Sequence, residues 1–254
     1  MKRILEHIEQ KKRELAASPF LRFISDTNID PLERFAFVPC IAPFAMAYTD
    51  INKFILRDDS SAEPLQQVIN THSREEDSHW LMYLKDLRTL ELTAPMELTS
   101  MLKLLWGNDC MRTRQMVYEL TSLFIQNPDL KMRLMLVEAV EGTADVAFGF
   151  FSQAARELEE RTGKKLHYFG MTHELLEANH SLGAESEEQK LLALEISPEQ
   201  EEFALAGVDR VYELFGMMFD ELLEYALRAG ARQRLRAPAG SWQEPVEQAM
   251  DSVA

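Results

Sequence analysis

Two stretches of this chain repeat the pattern His-x3-Glu-x2-His, at His72, Glu76, His79 and again at His173, Glu177, His180. Side chains spaced i, i+4, i+7 share a face only on a helix, where about 100° per residue brings them within roughly 60° of one another. The repeat therefore demands two helices, each offering two imidazoles and a carboxylate from one side. Only six histidines occur in 254 residues, and four of them fall in these triplets. Two such faces read as a metal site.

The rest of the chain agrees with helices. Glycine and proline number ten each, and Leu, Glu, Ala and Met abound without any alternating β-branched run. An all-α fold in one domain follows, residues 1–230, with 46% hydrophobic residues to fill its core. Expected helices cover Lys2–Ala17, a short segment from Ser18-Pro19 to Asp26, a long apolar stretch Pro31–Leu56 bent at Pro39 and Pro43, and Ala62–Leu90. Further helices start near Pro95 and at Asp109. Asn127-Pro128-Asp129 caps Leu130–Arg161, which stops at Gly163, and Leu166–Leu182 ends at Gly183. Ser197-Pro198 with Gln200 forms a capping box for a last helix reaching Gly230. Residues 231–254, with Pro238, Gly240 and Pro245, are expected to be a loosely ordered tail.

A net charge of −15 and a pI near 4.9 exclude nucleic acid and anionic membrane surfaces as partners, since both need a basic face. No run approaches the roughly 18 apolar residues of a membrane span, and the charged N-terminus has no secretory h-region. Cys40 and Cys110 make no CxxC and read as free thiols of a cytoplasmic protein. A small-molecule substrate is the expected partner, and a homodimer is admitted.

The triplets occupy positions where a core should continue. Leu65 and Ile69 lead into His72, Glu76 and His79, then Tyr83 and Leu87; Leu166 and Phe169 lead into His173, Glu177 and His180. A carboxylate buried there costs several kcal/mol unless it is paired or holds a cation. On the helix from Leu130, Glu141 falls among Leu134, Val137, Ala144, Phe148 and Phe151, whereas Glu138 aligns with a more polar edge. Gly142 lets a neighbour approach closely.

The candidate ligands are thus Glu76, His79, Glu141, His173, Glu177 and His180, with His72, Glu75 and Glu138 as further candidates. His72 is expected behind the ligands, orienting one of them. Mixed nitrogen and oxygen donors suit iron, manganese or zinc over calcium or magnesium. Their number suits two ions sharing a carboxylate, and Glu76-x-x-His79 and Glu177-x-x-His180 have the spacing used inside helical bundles.

These motifs resemble the heme-oxygenase-like di-metal oxidases, non-heme di-iron proteins whose pattern is Glu and His on one helix, a lone Glu on a later one, then His-x3-(Asp/Glu)-x2-His. The match runs through Glu76 with His79, Glu141, and His173, Glu177, His180; Ser18-Pro19-Phe20-Leu21, Tyr168-Phe169 and Glu141-Gly142 are similar too. The chain departs in having His72 where some members carry the first carboxylate, and Glu177 where Asp is commoner. The resemblance implies a heme-oxygenase-like multi-helix bundle and a cofactor of two iron ions, with manganese as the alternative. It also implies O2 and an external reductant, and oxidation of an amine, amino acid or fatty acid. It gives the six ligand candidates their catalytic role. Phe148, Phe151, Phe169, Met171 and Met217-Met218-Phe219 are expected pocket walls, and Tyr83 and Tyr118 candidate partners of the site.

Three rival readings use other residues of the same chain. A ferritin-like four-helix bundle, oxidising or handling iron, would use Asp50, Glu76, His79, Glu141, Glu177 and His180, leaving His173 idle. A metal-free enzyme of the thiaminase-like type would need Cys40 or Cys110 as nucleophile. A true heme oxygenase would hang its iron from an N-terminal histidine, here His7.

Overall fold

A computed structural model describes residues 1–93, 95, 97–177 and 194–228; of Glu174, Leu176 and Glu177 it describes only the backbone. The described residues are helical with no strand, an all-α multi-helix bundle. The expected tail at 231–254 lies outside the described residues.

Local chemistry sets the helix ends. Helix α1 (Lys2–Ala16) is followed by α2 (Pro19–Ser25), whose N-terminus is capped by the Ser18 side chain accepting from the Leu21 amide. Helix α3 (Pro31–Arg34) opens on Asp30 in the same way. The single bent helix expected over Pro31–Leu56 is instead four pieces: α3, a 3-10 segment Phe35–Ile41, α4 (Ala42–Ile51), and a π-helical turn Asn52–Leu56. Pro39 stands inside the 3-10 segment and removes a donor there, and Pro43 sits in the first turn of α4.

The expected helix Ala62–Leu90 is also divided. Helix α5 (Pro64–Glu75) tightens into a 3-10 turn at Glu76–Ser78 before α6 (His79–Thr89) resumes. After α7 (Leu98–Trp106), helices α8 (Met111–Gln126) and α9 (Leu130–Thr162) follow. Asp129 accepts from the amides of Lys131 and Met132, and Gly163 ends α9 with φ of 71°. Helix α10 is Met171–Glu177, and α11 (Pro198–Leu227) starts on the complete Ser197/Gln200 capping box.

Helix α9 is the central rod, with α1, α2, α5, α10 and α11 packed on it, while α4 packs on α6 and α8. The close approach at Gly142 is real: an added Cβ would lie 2.6 Å from the Tyr212 hydroxyl of α11 and 3.2 Å from Cγ2 of Ile8 in α1. The core is phenylalanine-rich, Phe20, Phe37, Phe151 and Phe169 meeting at ring-centroid distances of 5.0 to 6.1 Å. No helix among the described residues is long and apolar enough to cross a membrane.

Candidate metal centre

The middle of the seam read from the first triplet is buried, with Ile69, His72, Glu76, His79 and Tyr83 inside and its ends Leu65 and Leu87 half-buried. His72 and Glu76 are one α-helical turn apart. Glu76 and His79 are one 3-10 turn apart, and in that tighter helix i and i+3 eclipse. Nδ1 of His79 consequently lies 2.8 Å from Oε2 of Glu76. The change of pitch inside the motif tightens one end of the predicted face.

Helix α9 brings Glu141 to the same point. Its Oε1 is 3.4 Å from Nε2 of His72 and accepts a hydrogen bond at 3.0 Å from the Tyr48 hydroxyl of α4. Donor atoms of His72, Glu76 and Glu141 lie within 4.8 Å of one another, a group able to hold a cation. His72, expected behind the ligands, therefore stands among the candidate donors.

His173, at the start of α10, extends the cluster. Its Nε2 is 3.0 Å from Nδ1 of His79, and its Nδ1 is 2.9 Å from the Tyr168 carbonyl oxygen. A carbonyl only accepts, so Nδ1 carries the proton and Nε2 presents a lone pair to the cluster. The ring is gripped by Phe148 and Tyr168, at centroid distances of 4.1 and 4.7 Å.

The turn before His173 corrects the expectation of a helix from Leu166. Residues 166–170 are not helical, because Asp86 of α6 draws their amides elsewhere: its carboxylate accepts from His167, Tyr168 and Phe169 at 2.6, 2.8 and 3.0 Å. Asp86 is fully buried. Burial pushes its carboxyl up to about 6, against the pull of the three N–H groups.

Among the described side chains, the structure thus gathers His72, Glu76, His79, Glu141 and His173. Glu177 and His180 lie outside them, Glu177 being described in backbone only and His180 not at all. Glu75 and Glu138 are half-buried and do not line the cavity beside the cluster. Asp50 is exposed, so the ferritin-like order loses its first carboxylate.

That cavity, about 50 Å³, is several times what one water needs. Glu76, His79, Glu141, His173, Tyr48 and Thr49 supply its polar wall, and Phe44, Phe148, Phe151, Phe215, Met218 and Phe219 much of its apolar one. Of the expected walls, Phe169 is core, Met171 is exposed, and Met217 does not line it. Neither expected tyrosine serves the site. Tyr83 spends its hydroxyl on the Val38 carbonyl at 2.9 Å, and Tyr118 is exposed. Tyr48 does serve it, and sequence alone gave no sign of that, for its partner is 93 positions away.

The donors fit a bound cation. For metal–ligand bonds of about 2.0–2.2 Å, neighbouring ligand atoms stand roughly 3 to 3.5 Å apart. The contacts of 2.8, 3.0 and 3.4 Å between the candidate donors lie in or just below that range. Glu76 stands between the two ends of the group, its donor within 4.8 Å of those of His72 and Glu141 and 2.8 Å from His79, which in turn meets His173.

The cysteines offer no rival centre. Both are buried and neither lines the cavity. A hydrogen bond with Cys110, and then burial, push the Cys40 thiol far above the usual thiol range, the opposite of an activated nucleophile. His7 pairs with Asp209 of α11, its Nε2 2.9 Å from the carboxylate. No protein-family model matches the chain, and no curated protein matches it.

Proposed function

We propose that this protein is a non-heme di-iron enzyme of the heme-oxygenase-like kind that uses O2 to oxidise a small, largely apolar organic molecule. The observation that carries this reading is the convergence of His72 from α5, Glu76 from the 3-10 turn, His79 from α6, Glu141 from α9 and His173 from α10 on one buried cluster, of which Glu76, His79, Glu141 and His173 line the cavity. Two iron ions bound there, with manganese as the alternative, would supply the electron-transfer chemistry with O2 that no side chain of this chain provides.

The chain's own groups do the rest. Glu76 and Glu141 offset cationic charge in a buried setting, where an unpaired carboxylate is costly. The three imidazoles hold position, His173 through the bare Nε2 that its Nδ1–H···O=C bond leaves. Tyr48 fixes one oxygen of Glu141 and keeps a hydroxyl proton at the cavity wall. Phe148, Phe151, Phe215 and Phe219 exclude water from the space next to the ligands. In this reading Glu177 and His180 complete the ligand set, the reductant is external, and the protein works in the cytoplasm, where Cys40 and Cys110 stay thiols.

Anaerobic loading with Fe(II), metal analysis, and then a pulse of O2 test the proposal. The expected result is close to two irons per chain and one rapid optical transient per loaded centre, lost in His173→Ala and Glu141→Ala. No bound iron would end it. Continued uptake of iron over many O2 turnovers would point to an iron-handling protein instead.

A further inference from the structure

His79 and Asp86 stand seven residues apart on one face of α6, and both reach toward the chain segment that carries His173. His79 meets the His173 ring directly, Nδ1 to Nε2 at 3.0 Å. Asp86 meets the turn that precedes it, accepting from the amides of three consecutive residues. The middle one, Tyr168, is tied at both ends: its N–H goes to Asp86 at 2.8 Å, and its carbonyl takes the Nδ1 proton of His173 at 2.9 Å.

A histidine ligand is set by what its other nitrogen bonds. Here that partner is a backbone carbonyl, whose direction follows the plane of its peptide. The turn is not helical, so no helix ladder fixes that plane. What fixes it is a fully buried carboxylate with three donors. Charge-assisted bonds of that kind are about twice as strong as neutral ones. Helix α6 thus delivers one imidazole itself and sets a second, 94 positions later, from behind.

We propose that Asp86 is a positioning residue of the metal centre, which fixes the tautomer and aim of His173 through the Tyr168–Phe169 peptide, whose carbonyl meets His173 and whose N–H donates to Asp86. The proposal rests on the reading of His173 as a ligand, and its test separates the two. In metal-free, full-length protein, long-range proton–nitrogen NMR of the imidazoles reports the His173 tautomer. Wild type is expected to show one form, protonated at Nδ1 and bare at Nε2. Asp86→Asn is expected to show both tautomers, with its helical circular dichroism retained, and Co(II) affinity reduced about 10- to 100-fold.

A single unchanged tautomer with Co(II) affinity within about twofold of wild type would overturn the proposal, since loss of an outer partner costs at least tenfold. Should Asp86→Asn not fold, Asp86→Glu keeps the charge and displaces the turn, and the same two readouts decide in the same way. Failure of wild type to bind Co(II) would remove the metal reading, while the tautomer still decides the link from Asp86 to His173.

Discussion

The carboxylate of Glu76 lies 2.8 Å from Nδ1 of His79 across a single turn of 3-10 helix, and one α-helical turn earlier His72 faces the same cluster. Glu76 is therefore common to both ends of the donor group, while His72 belongs to one end and His79 to the other. On the di-metal reading proposed above, Glu76→Ala is expected to abolish binding of both ions in a Mn(II) titration followed by electron paramagnetic resonance. His72→Ala is expected to lose one ion of the two and keep the other. Equal stoichiometry in wild type and Glu76→Ala would remove Glu76 from the ligand set.

Tyr48 holds Oε1 of Glu141 by its hydroxyl while its ring packs on Phe44 at 5.4 Å. Tyr48→Phe keeps the ring and releases the carboxylate oxygen. A hydrogen bond to a charged group contributes about 1.5–3 kcal/mol, so a drop in stability of that order is expected in urea titrations. The number of bound ions should hold, and the visible spectrum of the Co(II)-loaded protein should change as Glu141 turns. An unchanged spectrum would take Tyr48 out of the site.

Gly142, next to Glu141, has no room for a methyl group. A Cβ there would meet the Tyr212 hydroxyl at 2.6 Å. That hydroxyl is buried and has no hydrogen-bond partner among the described residues. Gly142→Ala is expected to cost about 1–3 kcal/mol of stability through overpacking. Tyr212→Phe alone should be nearly neutral, because no bond is broken. The double variant should recover part of the Gly142→Ala loss, and strict additivity in denaturant titrations would contradict the clash.

The Asp86 carboxyl, held up at about 6 by burial, titrates above its ordinary 3.8. The folded protein therefore binds this proton more tightly than the unfolded chain does. Its contribution to stability is fully present below 3.8 and is lost as pH rises through about 6. Metal-free wild type compared with Asp86→Asn should show its stability difference shifting against wild type across that window. A difference constant between pH 3.5 and 7 would mean an unshifted carboxyl.

Sequence reached furthest where the deciding interaction is local. Ser18, Asp129, Gly163 and the Ser197/Gln200 pair end or begin helices through bonds within a few residues, and all were legible. The buried seam from Ile69 to Tyr83 was legible as well, because periodicity records which face goes inside. Three features were not. The split of 31–56 into four pieces depends on how each proline's missing donor is accommodated in the packed bundle. The non-helical turn at 166–170 is imposed by Asp86, some 80 positions earlier. The bond from Tyr48 to Glu141 likewise joins elements far apart in sequence. Periodicity placed His72 on the face that carries the cluster.

The 3-10 turn at Glu76–Ser78 also sets how this protein can vary. One residue inserted between Glu76 and His79 would swing His79 by roughly a third of a revolution and carry it off the cluster. An insertion in the loop ahead of Pro64 would leave that phase untouched. Length changes are thus cheap in the connections and ruinous across these three positions, where the rotational phase of two helices is locked together.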